Sequence, residues 1–272
     1  MTAPRQSGEM SLAVTQLPSV ADVLRGDRSR RPLSDHFVAA GLRHDLEDWI
    51  YRSNAPRATV PATLLHAGDL RDLKEGSVLT SGPTARLRGI LVGQLLRLLV
   101  VGHHLDDPFG DAVAAWRSVG AASSLLEVLD RLDHEERARL ATDVTAHAVT
   151  LVGRLGDIPT GWRPRSNVRA SQRFATGAVV VKDHFDLVVG SSHTTHASVA
   201  LLDITTSPLT TFHEKLLRYH ALVQTLLVGV APLRAVILST ATNDLWSVDV
   251  DGELLRRALD DMCCALERKW ST

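Results

Sequence analysis

Two short apolar segments, each interrupted by a single aspartate, constrain this chain more than any other feature: Phe185-Asp186-Leu187-Val188-Val189 and Leu201-Leu202-Asp203-Ile204-Thr205-Thr206. Both have the β-branched and leucine-rich texture of strands. A carboxylate buried in such a strand is costly unless it meets a metal ion, a cationic partner or solvent at a sheet edge. The spacing joins the two. If residues 191–197 form a hairpin loop centred near Thr194 and Thr195, Asp186 stands directly opposite Asp203, with Cβ atoms about 5 Å apart. Two like charges that close repel unless a cation lies between them, and oxygen ligands suit magnesium or manganese.

The rest of the chain has two textures. The first 33 residues mix Pro, Ser, Gly and charge, end in Arg28, Arg30 and Arg31, and read as a flexible arm. Helical periodicity then dominates residues 34–156, in segments near 34–50, 87–99, 111–119, 123–132 and 134–155. A looser stretch separates the first two. At 156–164 Gly, Pro and Trp mark a boundary, and residues 157–272 read as strands at 178–181, 185–190 and 198–204, a helix at 211–228, strands at 235–240 and 245–250, and a helix at 253–269. The predicted architecture is α/β of the α+β kind: a mixed central sheet with flanking helices, preceded by a helical subdomain. The linkers are short enough for the two parts to form one compact unit.

Composition removes several function classes. With 30 basic and 31 acidic side chains the formal net charge is −1, so any nucleic-acid surface must be local. Aromatic residues are 4% of the chain, which argues against a platform that stacks many bases. The two cysteines, Cys263 and Cys264, are adjacent and suit neither an ordinary disulfide nor a thiolate zinc site. The most apolar stretch, residues 87–102, is too short to span a bilayer and carries Arg88, Gln94 and Arg97, so no membrane partner is expected. No secretory signal is visible in residues 1–31, and a reducing cytoplasm is the expected setting.

The aspartate pair and the helical segment after it resemble the RecB-like branch of the PD-(D/E)XK nucleases. There a strand of the form G-x-I-D leads through a hairpin to D-x-K, and a helix with Q-L-x-x-Y-A comes next. Asp186 and Asp203 match the two aspartates, and Lys215-Leu216-Leu217-Arg218-Tyr219-His220-Ala221 stands in place of the helix motif, with Tyr219 retained and Lys215 for the glutamine. The upstream R-G-x-x-x-H motif has a counterpart in Arg88-Gly89-Ile90-Leu91-Val92-Gly93, with Gly93 for the metal-binding histidine. The resemblance is carried by residues 169–267 and implies a PD-(D/E)XK-like core with magnesium or manganese on Asp186 and Asp203. It also implies a defect. Thr205 holds the position of the D-x-K lysine, whose charge orients water and stabilises the developing phosphate charge, a role that a hydroxyl cannot fill.

Two lysines are candidates to replace the missing one. Lys182 shares a predicted face with His184 and Asp186 but lies about 13 Å along the strand from Asp186. Lys215 is the better replacement. His193 and His196 fall at the predicted hairpin tip, and His103, His104, Asp106 and Asp107 come after a helix end from which adjacent histidines cannot easily converge on one ion. Between Thr160 and Lys182 the chain carries Arg163, Arg165, Arg169 and Arg173 and no acid, the best candidate for a phosphate-contacting surface. The leading expectation is a nuclease-fold protein with a degenerate site that binds DNA or serves as a structural component of a DNA-processing or defence assembly, with other protein subunits as further partners. The alternatives are an active magnesium-dependent nuclease using Lys215 or Lys182, and a protein-interaction module that does not touch nucleic acid.

Overall fold

A computed structural model of the chain describes residues 18–26, 36–53, 62–70, 82–119, 124–190 and 199–271. In chain order these form α1 (Val20–Arg25), α2 (His36–Arg52), β1 (Thr63–His66) with a 3-10 turn at Ala67–Leu70, α3 (Pro83–Val100), α4 (Pro108–Ser118), α5 (Ser124–Arg131) and α6 (His134–Leu155). Next come β2 (Arg165–Phe174), β3 (Val179–Val189), β4 (Ala200–Thr205), α7 (Thr211–Val228), β5 (Arg234–Ser239), β6 (Leu245–Asp249) and α8 (Gly252–Trp270). The fold is mixed α/β, as expected.

Local chemistry sets several of these boundaries. The first turn of α6 is closed by a capping box, in which Glu136 N–H donates to the Asp133 carboxylate and Asp133 N–H donates to Glu136. Its Leu140, Val144, Ala148, Leu151 and Leu155 then recur at helical spacing and are buried. Gly156 ends it with φ +69°, and a Cβ there would lie 2.8 Å from Ser19 Oγ, so the residue must be glycine twice over.

Sequence reading missed three elements. α1 lies in the segment expected to be a flexible arm, yet Ser19 and Asp22 cap it and Val20, Ala21 and Leu24 are buried. The remainder of that arm is outside the described residues. β1 lies in the stretch between predicted helices, and four residues are too few to show a period. β2 carries its arginines on alternate, outward positions, which dilutes the apolar signal that marks a strand. The two strands expected at 178–181 and 185–190 are a single β3, extended through Lys182-Asp183-His184.

The sheet runs β1-β3-β4-β5-β6, and β2 pairs along the other edge of β3. β1 lies parallel to Val179–Lys182 of β3, and β4 antiparallel to Leu187–Val189. Since β2 fills the opposite edge from Val179 to Val188, β1 and β4 share one edge and leave Asp183–Asp186 between them without a strand neighbour. β4, α7 and the parallel β5 form a crossover unit.

Helices cover both faces. Leu42, Leu46 and Ile50 of α2 join α7, α8 and residues such as Phe185, Leu201 and Ile237 in one core. α1, α3 and α6 join Leu187, Leu202, Val236 and Leu238 in the other. The segments expected as a helical subdomain and a sheet-bearing core therefore share both cores and the sheet itself. The odd-numbered positions of β3 switch from the first core at Phe185 to the second at Leu187, while Val188 points back to the first.

Tyr219 of α7 ties the helix to the break in the edge. Its hydroxyl donates to the carbonyl of Lys182 at 2.8 Å, with Leu65 O at 3.4 Å. Tyr219→Phe should cost about 1–3 kcal/mol, because the acceptor loses its buried donor. Urea unfolding with no change in midpoint would show that the hydroxyl does not pin the strand.

Candidate functional site

The break in the edge of β3 collects four ionisable side chains. Asp183, 1% exposed, faces α7 and accepts from His220 Nδ1–H at 2.7 Å and from His184 N–H at 2.8 Å. His220, 5% exposed, places Nε2 3.7 Å from Asp203 Oδ2, close enough for an ion pair and too long for a hydrogen bond. Asp203 is 18% exposed and Asp186 17%. Continuing the register Leu187↔Leu202 by one residue sets Asp186 against Asp203, near enough for each carboxyl to shift the other's ionisation. Asp186 also accepts from Ile204 N–H at 2.8 Å, so its side chain takes up a main-chain donor beyond the end of the ladder.

Protonation derives from this geometry. Burial, then the charge of Asp203, raises Asp186 well above the ordinary carboxylate range. Asp203 is also penalised by burial, but His220 and then Asp186 outweigh it and lower its pKa. Asp186 is thus the harder of the two to ionise. Burial alone would lower His220, yet Asp183 and then Asp203 raise it to about 10. With Nδ1–H committed to Asp183, a neutral ring would aim a lone pair at Asp203; the imidazolium removes that conflict. His184 is lowered by burial and donates from Nε2 to Asn167 Oδ1 at 2.7 Å.

Two clefts open beside this cluster and share Arg169 and His184. One, about 470 Å³, lies between α3 and the β2–β3 hairpin and reaches Asp186 past Gly89, Gly93, Gln94 and Arg97. The other, about 670 Å³, is lined by His66, Lys182, Asp183, Asp203, Leu216 and His220. Gly93, the position of the family's histidine, therefore faces the same cleft as Asp186.

The other expected residues are distributed less favourably. Thr205 Oγ1 is hydrogen-bonded to Ser207 Oγ at 2.8 Å and lines neither cleft. Lys215 lines neither, because Leu216 and His220, four apart on α7, form its cleft-facing side. Lys182, the less favoured substitute, is the lysine that shares a cleft with Asp203. Tyr219 is a buried tie between helix and strand, its phenol held well above its ordinary value first by burial and then by Asp183 and Asp69. His193 and His196 lie outside the described residues. His103, His104, Asp106 and Asp107 are exposed after α3, where His104 and Asp106 approach to 3.4 Å.

Sequence reasoning missed Asp183 and His220. His220 stood inside the quoted helix motif, and its signal was weak: one of several buried polar residues on α7, with a carboxylate 37 residues upstream. Only the packing of α7 on β3 pairs them.

The donor set does not match the magnesium or manganese that the resemblance implies. Among the described residues no group of three or more His, Cys, Asp or Glu side chains is placed to hold a metal ion. Magnesium takes oxygen ligands at about 2.0–2.1 Å in octahedral order, and here Asp186 already accepts from Ile204 N–H while His220 Nε2 stands 3.7 Å from Asp203.

No family model matches this chain, and no curated protein matches it. Among solved structures, the crystal structure of SSO0001 aligns over 84% of this chain and 84% of its own at 11% identity, with a TM-score of 0.30. A likeness of that grade carries no argument. Among the described residues, no helix is long and apolar enough to cross a membrane.

The cluster sets a pH dependence. The folded state holds the His220 proton more tightly than the unfolded chain, so its stabilisation is complete below about pH 6.5 and is lost as pH rises toward about 10. The melting temperature should fall across that interval. Asp183→Asn should cost about 3–5 kcal/mol at pH 7, as a broken buried pair does, and should flatten the alkaline decline. A wild-type melting temperature that stays level from pH 7 to 10 would show that His220 is not a buried imidazolium.

Proposed function

We propose that this protein binds DNA through the outward face of β2 and does not cleave it, a nuclease-like scaffold whose centre is neutralised from within. The supporting observation is the state of the arginines. Arg165, Arg169 and Arg173, four residues apart, take every second outward position of β2, Arg163 precedes them, and all four are exposed. None forms an ion pair with a carboxylate among the described residues, whereas Arg52, Arg117, Arg139, Arg218 and Arg257 each do. In a chain of net charge −1, that row is an uncompensated positive edge leading to the acidic cluster.

The absence of cleavage is a matter of charge. Phosphoryl transfer needs cations aimed at the developing phosphate charge. Here Thr205 offers a hydroxyl turned to Ser207, and the positive charge of His220 is spent on Asp183 and Asp203. A protein of this kind serves as a DNA-binding or structural part of a DNA-processing or defence assembly. Lys182, on the wall of the cleft that holds Asp203, favours a second reading as an active magnesium-dependent nuclease.

Replacing Arg163, Arg165, Arg169 and Arg173 together by alanine should weaken DNA binding and flatten the plot of log affinity against log salt by a few units, at about 0.9 per lost phosphate contact. Unchanged affinity and slope, measured by fluorescence anisotropy, would move the interface elsewhere; no binding by the wild type would favour a protein-interaction module.

Incubated with DNA and excess magnesium or manganese, the wild-type protein should leave the substrate intact. Metal-dependent cutting that disappears in both Asp203→Ala and Lys182→Ala would establish the enzyme reading instead.

A further inference from the structure

The cleft between α3 and the β2–β3 hairpin has features that the acidic cluster does not require. Its α3 wall presents Gly89 and Gly93, one turn apart, and a Cβ built at either meets nothing within 4 Å. Side chains at these positions would fill the cleft without a clash, so the glycines keep it open. Arg97 from α3 and Arg169 from β2 both line it, and neither has an ion pair with a carboxylate among the described residues. Gln94, between them on α3, has a buried Oε1 with no hydrogen-bond donor. Leaving a buried amide oxygen unpaired is costly unless a ligand or water supplies the donor.

We propose that this cleft takes one unpaired nucleotide of a DNA strand, its phosphate held by Arg97 and Arg169 and its base edge donating to Gln94. The inference rests on the DNA-binding reading and specifies the form of DNA. Arg169 belongs both to the exposed row on β2 and to the cleft wall, so a strand whose phosphates track that row passes the cleft mouth. A space of about 470 Å³ is the size of a single small ligand and far too small for a base-paired duplex. The planar guanidinium groups suit phosphate oxygens, and an amide oxygen suits the amino groups that unpaired bases expose. Asp186, the acidic side chain in this wall, is engaged by Ile204 N–H and by Asp203.

The test compares two labelled duplexes of identical paired sequence, one blunt and one with a four-nucleotide single-stranded overhang, by fluorescence anisotropy on the full chain. The overhang duplex should bind about tenfold more tightly, a difference of about 1.4 kcal/mol. Gly93→Leu, which fills the cleft while improving helix propensity, should bring the overhang duplex to the blunt value. Gln94→Ala should remove part of the preference, and circular dichroism should report an intact fold for both variants. Equal binding of the two duplexes by the wild type, or a preference that survives Gly93→Leu in a folded protein, overturns the cleft inference and leaves DNA binding on β2 standing. Failure to bind either duplex overturns both.

Discussion

A carboxylate nearly sealed from water and the imidazolium it holds tie α7 to β3, and the position of the site depends on them. Asp183 lies on β3 where neither β1 nor β4 covers the strand edge, and His220 reaches it from α7. Neither residue is tolerable there alone: an isolated buried charge is expensive, and the pair lowers that cost, although His220 Nε2 reaches Asp203 only as an ion pair at 3.7 Å. Asp183 is satisfied twice, by the ring and by the His184 N–H. Tyr219, one residue earlier on α7, bonds to the Lys182 carbonyl and secures the same junction from the main-chain side. Two adjacent helix residues thus take the place of a missing strand neighbour.

That junction also explains why the acidic pair is quiet. Strand register alone would bring two aspartates face to face and demand a cation. The crossover helix supplies one from within, as His220 against Asp203, and the remaining repulsion makes Asp186 harder to ionise. What stays uncompensated is the outer row of arginines on β2, of which Arg169 lines both clefts. The arginines without carboxylate partners and the internally balanced acids are neighbours on one hairpin, and Arg169 and Asp186 line the same cleft.

Much of the architecture was legible. The helices at 134–155 and 211–228 were readable to the residue from periodicity and their flanking polar and glycine residues, and the β3–β4 register came from the count of residues about the hairpin centre. β1 was not legible, because four residues carry no period and their reason to be extended is a partner more than a hundred residues away. α1 was hidden for a related reason. Its six residues are too few to show a period, and Val20, Ala21 and Leu24 are buried against a core that only the fold assembles.

By itself the sequence determined the class of fold, the pairing of Asp186 with Asp203, the absence of a lysine two residues after Asp203, and the acid-free run of arginines between Thr160 and Lys182. All of these are properties of one element or of two elements joined by a short loop, where the period of the backbone and the count of residues suffice. The tertiary structure alone decided which cation the aspartates meet, which lysine lies near them, and that Gly93 opens onto Asp186. Those depend on the rotation and depth at which α3 and α7 settle on the sheet. Packing of whole helix faces into two cores sets that placement, and no local pattern of residues encodes it.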